Sequence, residues 1–115
     1  MCPWTTAQAK IWTPWGPSQS CVDMAPGIEF HGTASHGGIR LDAEHQEKIN
    51  YSKNFLNSKE WWEEDCDWAI PYYVFQDEIR AAGHMRENAL SDAIDLIKHY
   101  HKNFKLNKEK TSCRK

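Results

Sequence analysis

Bulky apolar residues recur at two periods along this chain: every second residue around position 30, and every three to four residues beyond position 68. Over residues 27–33 an extended backbone puts Ile28 and Phe30 on one side and Glu29 and His31 on the other, which predicts a strand. Lys10-Ile11-Trp12-Thr13 repeats the alternation and predicts a short edge strand. Pro3, Pro14, Gly16, Pro17 and Pro26 interrupt residues 1–26, so only short extended pieces are expected there. After the first strand come Ala34-Ser35-His36-Gly37-Gly38. The paired glycines predict a tight turn, with Ile39-Arg40-Leu41 returning to complete a hairpin.

Asp42 reads as an N-cap, and Glu44 and Glu47 favour a short helix or turn over 43–50. Residues 50–59, rich in Asn, Ser and Lys, read as a loop. Trp68, Tyr72, Phe75 and Ile79 then form an apolar stripe at helical spacing within 61–82. Pro71 sits inside that stripe, so the helix either starts near it or bends there. Gly83 predicts a stop. Ala89, Leu90, Ala93, Ile94, Ile97, His101 and Phe104 trace the buried face of a second helix over 87–104. The expected fold is α+β: a small antiparallel sheet from the N-terminal half packed against two or three helices from the C-terminal half. Residues 1–104 form one domain in this reading, and 105–115 a basic tail without periodicity.

Composition narrows the class. A chain of 115 residues with 40% hydrophobic and 26% charged residues falls within ordinary globular usage. No apolar run approaches the ~20 residues of a membrane span, and the N-terminus lacks the basic and apolar regions of a signal peptide, so a cytoplasmic location without membrane contact is expected. The four cysteines are scattered without a C-x-x-C pair, which predicts neither a disulfide framework nor a thiolate zinc site. The net charge of -2 is unevenly spread: from Lys98 onward seven basic residues face one acidic residue, a local net of +6 that leaves -8 for the rest. That tail is the one segment offering nucleic acid a direct attachment, although a solvated end carries the same charge.

Two clusters could carry chemistry. In His31-Gly32-Thr33-Ala34-Ser35-His36-Gly37-Gly38, the residues Thr33, Ser35, His36, Gly37 and Gly38 are a candidate ligand-binding set, with backbone N–H groups and hydroxyls available to an anion. The segment matches neither the phosphate-binding loop nor the dinucleotide fingerprint, and a glycine turn tying loops together is the structural alternative. Ser35 beside His36 invites a nucleophile-and-base reading, but adjacent residues of an extended chain point apart.

The second cluster, Glu60-Trp61-Trp62-Glu63-Glu64-Asp65-Cys66-Asp67-Trp68, holds five carboxylates in nine residues. Acids opening a helix explain part of it. The functional alternatives are a partner contact made by Trp61, Trp62, Glu63, Glu64 and Asp65, or acid–base or hard-cation chemistry assisted by His31 or His36. No catalytic residue, metal ligand or cofactor is assigned.

Four segments in order, Trp15-Gly16-Pro17-Ser18-Gln19, Pro26-Gly27-Ile28, His31-Gly32-Thr33-Ala34-Ser35-His36-Gly37-Gly38 and Trp61-Trp62-Glu63-Glu64-Asp65-Cys66-Asp67-Trp68-Ala69, resemble an uncharacterised domain family of phages, plasmids and other mobile elements. Its motifs are similar to W-G-x-x-Q, T-A-x-H-G-G and W-Y-E-E-D-C-x-W-A, with Trp62 standing here for the usual tyrosine. The resemblance spans roughly residues 12–76. It implies an accessory protein that binds a host protein, including one of a nucleic-acid-directed defence system such as CRISPR. The alternative is a small enzyme or ligand-binding domain acting on a phosphate-bearing small molecule or nucleotide. Both readings need residues 31–38 and 60–68 to meet at one solvent-reachable place, and oligomeric state stays open.

Overall fold

The structure is a computed structural model that describes residues 12–51 and 58–106. Its backbone is a four-stranded antiparallel sheet, in spatial order β3-β4-β5-β6, with helices against one face. The strands are β3 (Ser20–Ala25), β4 (Ile28–Gly32), β5 (Gly37–Leu41) and β6 (Trp61–Glu63). A separate two-stranded ribbon pairs β1 (Trp12–Thr13) with β2 (Gly16–Pro17). The helices are α1 (Ala43–Lys48), α2 (Ala69–Val74), α3 (Gln76–Ala81) and α4 (Glu87–Tyr100). This is the expected α+β arrangement, with β6 recruited from beyond the midpoint of the chain.

Cross-strand register explains how the two faces differ. The row Val22, Phe30, Ile39, Trp62 faces the helices, and Ile39 and Trp62 are completely buried there. The rows Cys21, His31, Gly38, Glu63 and Asp23, Glu29, Arg40, Trp61 occupy the opposite face. Period-2 alternation therefore divides an apolar interior from a polar face. Trp15 lies over that polar face, its ring edge-on to Trp61 at 5.8 Å.

Several sequence expectations change in detail. Gly37 and Gly38 are not the turn but the start of β5; the turn is 33–36. The reason for glycine at position 38 is close approach: a Cβ there would collide with the Trp62 carbonyl and with the Trp15 ring. The acidic run does not open a helix either. It forms β6 and then a turn over 64–68, because Trp61 and Trp62 pair with Arg40 and Ile39. The helical stripe is split at Phe75 into α2 and α3. Pro71 is the third residue of α2, where its missing N–H has no intrahelical role.

Other expectations hold. Asp42 caps α1, accepting from the His45 N–H. Gly83 follows α3 with φ +84°, the left-handed conformation that ends helices. Leu90, Ala93, Ile94 and Ile97 are the buried residues of α4, which ends at Tyr100 rather than at 104. Lys10, Ile11 and the tail from 107 onward lie outside the described residues.

Candidate functional site

The β4–β5 hairpin projects its turn beside the residues that leave β6. Thr33 closes that turn: its hydroxyl donates to the His36 carbonyl at 2.6 Å and accepts from the N–H groups of His36 and Ser35 at 3.0 and 3.3 Å. The Thr33 N–H in turn donates to the His36 carbonyl. Across the pair, the Glu64 N–H donates to the Gly37 carbonyl at 2.9 Å. The two sequence clusters are thus hydrogen-bonded neighbours.

At this corner His36 Nδ1 lies 3.4 Å from Glu63 Oε2 and 3.9 Å from Glu64 Oε2. Glu63 Oε1 accepts from the Asp65 N–H at 3.0 Å. His36 is about half exposed and Glu64 and Asp65 are exposed, so solvent reaches the group, whereas Glu63 is 9% exposed. Burial raises the Glu63 carboxyl above its usual range; the Asp65 N–H works against that, and the Asp65 charge adds to it. Cys66, a free thiol, is likewise pushed up by burial and by the carboxylates around it, so it stays protonated and unreactive at neutral pH.

The candidate ligand-binding set therefore divides. His36 faces the acids. Thr33 and the N–H groups of Ser35 and His36 are spent inside the turn, and Gly37 and Gly38 belong to β5, so these groups are not turned toward an anion. Ser35 makes no side-chain hydrogen bond to His36, which removes the nucleophile-and-base pair. Within the candidate partner-binding set, Glu63, Glu64 and Asp65 gather at the corner, but Trp61 and Trp62 are 9% and 0% exposed and cannot anchor a partner. They are structural instead: Trp62 donates its indole N–H to the Lys59 carbonyl at 2.8 Å, and Trp61 packs on His31, Trp15 and Arg40.

His31, the other imidazole of the motif, takes no part. It is fully buried between Ser18 Oγ at 2.8 Å and Glu29 Oε1 at 3.2 Å. Burial lowers its pKa to about 4 and raises that of Glu29 to about 7, so the pair is largely neutral near pH 6. The neighbouring Cys21 sulfur is disulfide-bonded, contrary to the expectation from cysteine spacing, and so offers a metal no thiolate.

Periodicity gave no functional weight to a further set of residues. A groove of about 660 Å³ runs from the corner to α4, lined by Asp65, Trp68, Asp92, Asp95, His99 and Tyr100. Trp68 is held edge-on to Tyr72 at 5.2 Å, and Tyr100 is 59% exposed. The available signal was the spacing of Asp92, Asp95 and His99 at i, i+3 and i+7, a polar stripe beside the buried one. Asp67, the remaining acid of the run, points inward to the buried His101 at 3.3 Å.

A family profile described as a domain of unknown function, DUF7007, matches residues 8–112. The chain belongs to the DUF7007 family. No curated protein and no solved structure matches it. The match takes in both the hairpin corner and the α4 groove, so both lie inside the DUF7007 domain. No helix among the described residues is long and apolar enough to cross a membrane.

Proposed function

We propose that this DUF7007 protein is an accessory protein of a phage or other mobile element that binds a host protein through its acidic, aromatic-lined face. The reading rests on one observation: Asp65 meets Asp92 and Asp95 around a groove whose walls include Trp68 and the exposed Tyr100. Carboxylates beside indole and phenol rings suit lysine and arginine side chains, which gain charge pairing and ring stacking together. Basic surfaces of that kind belong to proteins that handle nucleic acid, so a nucleic-acid-directed defence factor such as a CRISPR component is the class of host target proposed.

The experiment is affinity capture from host lysate with the full chain, in parallel with Asp92→Asn/Tyr100→Ala. The partner retained by the wild type is expected to be lost or strongly depleted with the variant. Equal recovery would remove this face from the proposal.

A second reading, an enzyme or binding domain for a phosphate-bearing molecule, is favoured only by the closeness of His36 to Glu63. Three carboxylates in sequence at that corner repel a phosphate, and the Ser35 and His36 amides are already bonded to Thr33. Nucleotides are accordingly expected to leave the melting temperature unchanged in a thermal-shift assay.

A further inference from the structure

The geometry points to a divalent transition-metal site at the hairpin corner, with His36, Glu63 and Asp65 as ligands and Glu64 within reach as a fourth. Each of the three offers one ligand atom, and these atoms lie within 4.8 Å of one another. His36 Nδ1 and Glu63 Oε2 are already 3.4 Å apart. That equals the separation of two ligands on a tetrahedral ion with bonds of about 2.1 Å. Glu64 Oε2 stands 3.9 Å from the same nitrogen. Closing the rest falls to the exposed His36 and Asp65 side chains, while Glu63 stays on β6.

Two observations separate this corner from an ordinary acidic surface. First, the imidazole comes from the β4–β5 turn and faces the carboxylates of β6 and its following turn across a strand pairing, so the donor set is mixed nitrogen and oxygen. Second, the corner lacks a resident cation: among the described residues every ion pair of Glu63 and Glu64 runs to His36, and no lysine or arginine joins them. The Glu63 side chain is nevertheless only 11% exposed. A buried carboxylate without a fixed positive partner is costly, and a bound cation supplies that charge.

One imidazole with two or three carboxylates selects Zn²⁺ or Mn²⁺ over Mg²⁺, which prefers oxygen and keeps its water. The exposed side leaves coordination positions open to water or to a ligand.

The site does not depend on the proposed partner groove, although Asp65 borders both. The test is calorimetric titration of the full chain with Zn²⁺, with Co²⁺ absorption as a readout of coordination. One ion per chain is expected, bound more tightly than Mg²⁺. His36→Gln, at a half-exposed side chain, should weaken Zn²⁺ at least about 10-fold and abolish the Co²⁺ ligand-field bands. Asp92→Asn should leave Zn²⁺ binding as it is, which keeps the site distinct from the groove. No saturable Zn²⁺ binding, or equal affinity and an unchanged Co²⁺ spectrum in His36→Gln, would overturn the site.

Discussion

His45 lies between two carboxylates, its Nδ1 2.7 Å from Asp42 Oδ1 and its Nε2 2.7 Å from Glu78 Oε1. Burial opposes a charge on the imidazole, but the hydrogen bonds it donates to the Glu78 and Asp42 carboxylates outweigh it and raise its pKa above the usual value. A raised histidine binds its proton more tightly in the folded state. Its contribution is therefore complete below the unfolded value near 6.5 and is lost as pH rises through the folded value. Chemical denaturation is expected to show the wild type ahead of His45→Gln by more at about pH 6 than at about pH 9. A gap that widens with pH would contradict a charged His45. Gly38 provides another test at single-residue scale. Gly38→Ala forces a methyl group against the Trp62 carbonyl and should cost about 1–3 kcal/mol, read from the denaturation midpoint, whereas an unchanged midpoint would show that the β5–β6 contact can yield.

At the scale of elements, β6 is the strand that brings the acids to the histidine turn, and Trp62 is its anchor. Trp62→Phe keeps most of the apolar volume but strands the Lys59 carbonyl that accepts the indole N–H, and a loss of about 1–3 kcal/mol is expected by urea unfolding. The β4–β5 hairpin, the Asp42 cap and the α4 stripe were legible because each rests on local periodicity or a single capping residue. The β6 strand was not. Its three residues pair with β5 from some twenty positions away, and a run of acids between tryptophans reads locally as a helix start. The glycines are ambiguous for a related reason. Tight turns and close backbone approach both call for glycine, and only the position of Trp62 and Trp15 distinguishes them. The same long-range pairing decided the site: His36, Glu63, Glu64 and Asp65 could be named from the sequence, but the burial of Trp61 and Trp62 and the place of Asp92, Asp95 and Tyr100 depended on how β6 and α4 pack.

For the whole molecule, the net charge of -2 conceals a chain with an acidic body and a basic end. The carboxylates that line the α4 groove are exposed, so attraction between this face and a cationic partner is screened by salt and weakens as ionic strength rises. The most direct test of the central claim, that this face receives basic side chains, is fluorescence anisotropy of a labelled arginine-rich peptide titrated with the full chain at low and at physiological salt. Saturable one-to-one binding that weakens with salt is predicted, together with a drop of about 10-fold in Asp92→Asn/Asp95→Asn, the effect of two partly screened charges. Binding that is absent, or equally tight in the variant at both salt concentrations, would contradict it.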